Sequence, residues 1–208
     1  EEAFKLEGIK VVWGFFPWIR SYELAKEGKQ WHASAVWWPT KDAKHHFLLS
    51  SPVVKTSNVF FCLKTNKFNW NSFDDISGFS VGVTRGYDYG EEFRLAVESG
   101  KITVEEVSSD EINLKKLLSR RIDIFPNDPL VGLAQIRNNF NQQEIESITF
   151  HPRKFEQTTL HLLISKNSPY ADQTLSAFNN GLSKLKKSGK LQEILNDVKS
   201  GNYDGSKK

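Results

Sequence analysis

The most informative stretch of this sequence is residues 28–52, Gly-Lys-Gln-Trp-His-Ala-Ser-Ala-Val-Trp-Trp-Pro-Thr-Lys-Asp-Ala-Lys-His-His-Phe-Leu-Leu-Ser-Ser-Pro. The preceding segment, Trp18–Glu27, carries apolar side chains at i, i+4 and i+7, the period of an amphipathic helix. Gly28 is a residue type that commonly ends a helix. Ala33–Trp38 is a short apolar run that predicts a strand. The stretch therefore predicts a helix, a glycine stop and a strand in succession.

Helix-like and strand-like segments alternate through the rest of the chain, which predicts an α/β fold. The predicted helices lie at Trp18–Glu27, from Gly86 to about Ser99, from a cap at Asp110, from Asp128-Pro129, at Ala171–Leu185 and at Leu191–Val198. The predicted strands lie at Ile9–Phe16, Ala33–Trp38, Asn58–Lys64, Ser80–Thr84, Ile102–Val104, Ile122–Phe125, Ile148–Phe150 and Leu160–Ile164. We expect the Gly/Lys/Ser tail after Ser200 to be disordered.

The composition is that of an ordinary globular protein, with 208 residues, 38% hydrophobic and 25% charged residues, and a net charge of +3. The densest basic cluster lies on a helical pattern, which favours a solvated helix face over nucleic-acid binding; its members are Lys184, Lys186, Lys187 and Lys190. Cys62 is the single cysteine, so no internal disulfide can form. Its apolar neighbours predict a buried thiol.

Five short segments in order along the chain carry a family resemblance. They are the frame Gly28-Lys29, Thr40, Phe47, Ser50 and Pro52; Ser72–Gly78; Val81–Val83; Arg121–Asp123 followed by Asp128-Pro129; and Leu185–Leu191. Together they resemble the bacterial extracellular solute-binding proteins of family 3, the periplasmic amino-acid-type substrate-binding proteins of ABC transporters. The resemblance covers nearly the whole chain.

The resemblance implies the two-lobed type II fold of periplasmic binding proteins, in which each lobe is a mixed sheet flanked by helices. Lobe 1 would comprise residues 1–64 and 155–208, and lobe 2 residues 65–154. The two hinge crossings would lie near Cys62–Lys64 and Phe150–Phe155. Members of this family begin with a strand, a loop, a hairpin and a helix, and Glu1–Gly8 resembles the end of that helix. The resemblance therefore also implies that an N-terminal strand is missing. An unpaired sheet edge would then invite a dimer.

The resemblance implies a receptor that captures a small polar solute, such as an amino acid or amine, in an interlobe cleft. Hinge closure would trap the solute for a permease of the ABC type, in the periplasm. No enzymatic activity, cofactor, metal or nucleic acid is expected. The chain departs from the family at Ala43, where an Arg normally grips a ligand carboxylate, and at His32, where an Asp is usual.

Asp128 is the strongest candidate for a ligand contact, because the matching family Asp pairs with the ligand's ammonium group. Asp followed by Pro is also a common helix cap, and one carboxylate can serve both purposes. Tyr87 and Asp88 stand where the family has small hydroxyl residues that hold the ligand carboxylate. Arg85 could bind an anion there, or could be an exposed surface residue.

Trp37 and Trp38 end the strand that lines the cleft in the family. Adjacent strand residues point to opposite faces, so we expect one indole to face a ligand and the other to pack. Arg20 could reach the cleft in place of the missing family Arg, or could lie on the surface. The five His residues lack the convergent spacing of a zinc site.

Three functions remain open from the sequence. The leading one is the solute receptor, in which an amine, a cation or an aromatic-bearing solute suits Asp128 better than an unmodified α-carboxylate does. The second is a sensor or interaction domain of the same fold with a degenerate site. The third is a dehydratase-like enzyme on this fold, which would need an acid or base in the cleft.

Overall fold

A computed structural model describes residues 1–202 as a mixed α/β protein. The helices are α1 (Glu2–Lys5), α2 (Trp18–Glu27), α3 (Lys41–His46), α4 (Glu91–Glu98), α5 (Asp110–Leu118), α6 (Pro129–Asn139), α7 (Gln142–Ser147), α8 (Ala171–Lys187) and α9 (Lys190–Ser200). The strands are β1 (Ala33–Trp37), β2 (Phe47–Leu49), β3 (Val54–Leu63), β4 (Val81–Thr84), β5 (Val104–Val107), β6 (Phe125–Asn127), β7 (Ile148–Phe150) and β8 (Phe155–Ser165). Of the tail predicted to be disordered, residues 203–208 lie outside those described.

The chain divides into two compact units. Unit 1 comprises Glu1–Lys55 and the chain from Thr158 onward, and unit 2 comprises Thr56–Gln157. The chain therefore passes between the units within β3 and within β8, whereas the sequence placed the crossings near 62–64 and 150–155. No helix among the described residues has both the length and the apolar character needed to cross a membrane.

Unit 1 is built on β8, which pairs antiparallel with both β1 and β2. Helix α8 buries its apolar face over this sheet, and α1 packs on α8. Gly181 permits the close approach of the two helices, because a Cβ at this position would lie 1.9 Å from the carbonyl oxygen of Ala3. Phe4 and Phe178 meet beside it with ring centroids 5.2 Å apart.

Unit 2 is built on β3, which pairs antiparallel with β6 and β7. A second pair, β4 and β5, runs parallel, and Val81 of β4 bridges to Ile124. Adjacent residues of β3 point to opposite faces. Phe60 therefore enters one core, with Trp70 among others, and Phe61 enters a second core that includes Leu114.

Several helix ends agree with the sequence signals, and two differ. Helix α2 ends at Glu27 with Gly28 in the left-handed region, at φ 68°. Ser109, not Asp110, caps α5, since its side chain accepts from the Ile112 N–H. The helix predicted to follow Gly86 begins only at Glu91, because residues 85–90 form a turn and loop instead.

The strand predicted at Ile9–Phe16 is wrong, because residues 9–17 form no strand or bridge. Apolar residues favour a strand, but a strand forms only against a hydrogen-bonded neighbour. Apolar side chains of this segment are exposed instead of packed on a sheet, with Val12 76% and Phe15 89% accessible. The dimer proposed for an unpaired sheet edge stays a prediction.

Candidate functional site

Asp128 caps α6 in unit 2, as the Asp-Pro pair predicts. Its Oδ1 atom accepts hydrogen bonds from the backbone N–H groups of Leu130, at 2.7 Å, and Val131, at 3.1 Å. Its Oδ2 atom accepts a hydrogen bond from the Thr56 hydroxyl. The carboxylate is therefore held in one orientation by its own helix and by β3. Both lone pairs of Oδ1 are engaged by the two N–H groups, and Oδ2 retains one lone pair for a ligand.

A second carboxylate, Asp110, lies at the start of α5 and is only 4% exposed. Thr84 donates to its Oδ1 at 2.6 Å, and Asn127 and Tyr87 donate to its Oδ2 at 3.1 and 3.2 Å. Asn127 in turn accepts from the backbone N–H of Asp128 at 2.8 Å. The network thus joins the turn at Tyr87 to the segment that carries Asp128.

The sequence missed Asp110 as a member of this network and placed it as a helix cap. With Ser109 as the cap, the Asp110 side chain is free to turn inward, and this could not be read from spacing alone. Burial raises the pKa of the Asp110 carboxyl above its ordinary value. Hydrogen bonds from Thr84, Asn127 and Tyr87 lower the same pKa and offset part of that effect.

Arg85 is exposed and forms an ion pair with Glu106 of β5, with Nε 2.7 Å from Oε1. Its guanidinium therefore lies outside the Asp110 network. Asp88 does not cap α4 directly; its Oδ1 accepts from the backbone N–H of Gly90, at 2.9 Å. The turn therefore directs Tyr87 and Arg85 to different places. The Tyr87 hydroxyl points to Asp110, and the Arg85 guanidinium lies on the strand surface beside Glu106.

The start of α4 is crowded with carboxylates. Gly90 has φ 92°, and a Cβ there would lie 2.1 Å from Oε2 of Glu156. Burial raises the pKa of the Glu156 carboxyl, and the nearby charges of Asp88, Glu92 and Glu91 raise it further. A helix start ordinarily attracts anions, but these charges repel them.

The two adjacent tryptophans of unit 1 have different surroundings. Trp37 packs against Trp18 and Tyr22, at centroid distances of 5.0 and 5.2 Å, and its Nε1 donates to Ser34 Oγ at 2.8 Å. Trp38 directly follows β1, and its indole is half-buried. Trp37 therefore packs within unit 1, and a ligand contact at Trp38 stays a prediction.

Arg20 and Ala43 of unit 1 differ in what they could offer an anion, because only Arg20 carries a side-chain donor. The exposed Arg20 guanidinium lies 5.6 Å from the centroid of the Phe16 ring, a cation–π contact. Ala43 is 1% exposed in the core beneath α3, and its N–H donates to the capping hydroxyl of Thr40 at 3.1 Å. The sequence did not predict α3, although Thr40 is a typical cap.

The structure groups the candidates within each unit. Tyr87 and Asp128 belong to one hydrogen-bonded network in unit 2, and Arg85 does not. In unit 1, Trp37 packs against Trp18 and Tyr22, Arg20 lies over the Phe16 ring, and Trp38 directly follows β1. Across residues 1–202, no three His, Cys, Asp or Glu side chains are arranged to hold a metal ion.

The chain matches no protein-family model and no curated protein. Among solved structures, it is similar to an ancestral arginine-binding protein bound to arginine, with 20% identity over 95% of this chain and 84% of that chain and a TM-score of 0.76. It is also similar to an amino acid ABC transporter substrate-binding protein from Streptococcus pneumoniae bound to L-arginine, with 16% identity, 94% and 79% coverage and a TM-score of 0.73.

A third similar structure is a histidine kinase sensor domain that itself resembles periplasmic binding proteins, with 14% identity, 96% and 81% coverage and a TM-score of 0.74. At these identities the likeness concerns the fold. It confirms the α/β class and the fold that the five sequence motifs imply. The chain has the type II fold of the periplasmic binding proteins.

Proposed function

We propose that the chain is a periplasmic receptor that binds a small cationic or amine solute and delivers it to a permease of the ABC type. The fold and the solute-binding proteins that share it support the general role. The preference for a cation rests on the chemistry of the candidate residues. We expect binding without turnover, because the carboxylates are already engaged in helix capping and hydrogen bonds.

The observation that carries the proposal is the fixed carboxylate of Asp128, together with the engaged donor at Arg85 and the missing donor at Ala43. Asp128 can form a charge-assisted hydrogen bond with an ammonium or guanidinium group. Arg85 is paired with Glu106, and Ala43 has no side-chain donor. The start of α4 is surrounded by negative charge. A free α-carboxylate therefore gains little from these residues.

A matched pair of probes tests this preference. L-arginine and agmatine, its decarboxylated form, share a guanidinium and differ in the carboxylate. We expect agmatine to bind at least about tenfold more tightly, a difference of about 1.4 kcal/mol. Thermal-shift titration followed by calorimetry would measure both affinities. Tight binding of acidic or simple neutral amino acids, with agmatine inactive, would contradict the proposal.

Asp128→Ala should abolish most of the agmatine affinity, because the ammonium or guanidinium loses its charged partner. The substitution also removes a helix cap, which costs about 1 kcal/mol of stability. Asn141→Ala is the matched control, since Asn141 caps α7 in the same unit by accepting from the Glu144 N–H. It should lower stability similarly and leave agmatine affinity unchanged. Equal binding by both variants would exclude Asp128 as a contact.

A sensor or interaction domain is the second candidate, favoured by the similarity to a histidine kinase sensor domain. The absence of a side-chain donor at Ala43 also fits a site that no longer binds amino acids. A panel of amines, amino acids and aromatic cations separates the two functions. Saturable binding of one class favours the receptor, and a panel without any binding favours the degenerate domain.

A further inference from the structure

Three hydrogen-bond donors in unit 2 converge on the buried carboxylate of Asp110. They are the hydroxyl of Thr84, the hydroxyl of Tyr87 and the side-chain amide of Asn127, all within 2.6–3.2 Å of an Asp110 oxygen. They come from the end of β4, the turn after it and the end of β6. One side chain on α5 therefore ties together three separate segments.

The convergence fixes the direction of each hydrogen bond. The Asp110 oxygens accept from all three groups, so Thr84 and Tyr87 both point their hydroxyl protons toward Asp110. The Thr84 oxygen also accepts from the side chain of Asn113, at 3.1 Å. With its proton committed inward, the Tyr87 oxygen can only accept a further hydrogen bond. Asp128, the neighbour of Asn127, is likewise an acceptor.

We propose that Asp110 is a positioning residue that sets the solute specificity of the candidate residues in unit 2, a conclusion that rests on the proposed function. It holds the Tyr87 turn and the Asn127–Asp128 segment together, and it commits the Tyr87 proton to Asp110, so that the Tyr87 hydroxyl and the Asp128 carboxylate can only accept from a solute. Solutes that donate hydrogen bonds, such as ammonium and guanidinium groups, are selected. Solutes that present a carboxylate find no donor in the Tyr87 hydroxyl or the Asp128 carboxylate.

Asp110→Asn tests the proposal because it keeps the shape of the side chain but replaces an acceptor oxygen with an NH₂ donor. One of the converging donors then loses its acceptor, and a hydroxyl can turn its proton outward. Ser109→Ala is the matched control, since it removes the α5 cap one residue away and leaves the network intact. Both substitutions weaken the start of the same helix.

Amide hydrogen exchange without any solute measures the positioning role. In Asp110→Asn, the peptides covering residues 85–90 and 127–131 should exchange faster than in the unmodified chain. In Ser109→Ala, faster exchange should be confined to α5. If Asp110→Asn does not fold, Tyr87→Phe removes the Tyr87 bond alone and should loosen residues 85–90 only. An unchanged rate in both segments for the folded variants overturns the positioning role.

The ratio of L-arginine to agmatine dissociation constants measures the specificity role. Asp110→Asn should lower this ratio by about tenfold, the scale of one hydrogen bond to a charged group. Ser109→Ala should leave the ratio unchanged even where it lowers the melting temperature. Asp110 acts through Tyr87, so the double variant with Tyr87→Phe should change the ratio no more than Asp110→Asn alone.

The hydrogen-exchange measurement and the dissociation-constant ratio together separate this proposal from the proposed function. Faster exchange in both segments with an unchanged dissociation-constant ratio means that Asp110 is purely structural, which overturns the specificity role. If neither probe binds the unmodified chain, the preference for a cation fails. The positioning role is then still decided by the exchange measurement.

Discussion

At the scale of single residues, Glu156 shows how a local crowding of charge can oppose folding. Its backbone adopts φ 43°, and its carboxylate lies against Gly90 at the start of α4. Burial and three neighbouring acidic residues raise the pKa of this carboxyl from its ordinary 4.5. The folded chain therefore holds the Glu156 proton more tightly than the unfolded chain does.

Glu156→Gln should accordingly stabilise the protein at pH 7. Above the raised folded pKa, the unmodified chain carries a charge that folding disfavours, so its stability falls as the pH rises through the window above 4.5. Glutamine removes that penalty, for a gain of about 0.5 kcal/mol after solvent screening. Urea unfolding at pH 7 and pH 4 would measure the difference, which should shrink at the lower pH. A larger gain at pH 4 would contradict the sign.

Asp128 and Asp110 show how far the sequence predicts individual site residues. The role of Asp128 as a cap follows from the Pro that comes after it, because the signal is local. Asp110 also stands at a helix start, but its partners are 26, 23 and 17 residues away in the chain. Contacts at such separations depend on how strands and turns assemble, and no spacing rule predicts them.

At the scale of elements, the contact between α1 and α8 depends on glycine at position 181, which has no side chain. Gly181→Ala would place a methyl group 1.9 Å from the Ala3 carbonyl oxygen, a backbone atom that cannot rotate away. We expect α1 to be displaced, at a cost of about 1–3 kcal/mol. Chemical denaturation would measure this. Asn180→Ala, at an exposed position of the same helix, should stay within about 0.5 kcal/mol of the unmodified chain.

The sequence predicted those elements best whose signals are local and continuous. Helices α2 and α8 combine an apolar stripe with a glycine or a polar turn at their ends, and both formed as predicted. Residues 9–16 have strand-forming side chains but no strand partner, so they stay irregular. A helix was predicted to follow Gly86, yet the Tyr87 hydroxyl bonds to Asp110 and the Asp88 carboxylate accepts from the Gly90 N–H, and these contacts hold a longer turn.

At the scale of the whole molecule, the two units have separate cores. We therefore expect a substitution in one core to destabilise mainly its own unit. Leu114 is fully buried in unit 2, and Leu182 is 2% exposed in unit 1. Truncating either side chain to alanine should cost about 2–5 kcal/mol. In hydrogen exchange, Leu114→Ala should raise the rates mainly in residues 56–157, and Leu182→Ala mainly in the rest. Equal loss of protection everywhere would indicate one cooperative structure.

The fold as a whole could be predicted because many weak motifs occur in a fixed order. No single segment is specific, and the identity to the similar solved structures is only 14–20%. Patterns of apolar residues and turn residues persist at such identities because they serve packing. The side chains that choose a solute follow no such pattern. Ala43 illustrates this. Its backbone N–H still donates to the capping hydroxyl of Thr40, but its side chain offers a solute no hydrogen-bond donor.

The single cysteine has a practical consequence for measuring motion. Cys62 is 4% exposed, and burial raises the pKa of its thiol, so it is a poor nucleophile toward labelling reagents. Cysteines introduced at the exposed positions of Lys29 in unit 1 and Asp74 in unit 2, whose side chains are 83% and 69% accessible, would react selectively. A donor–acceptor dye pair on these sites could report the separation of the units by energy transfer, one molecule at a time, without removing the native thiol.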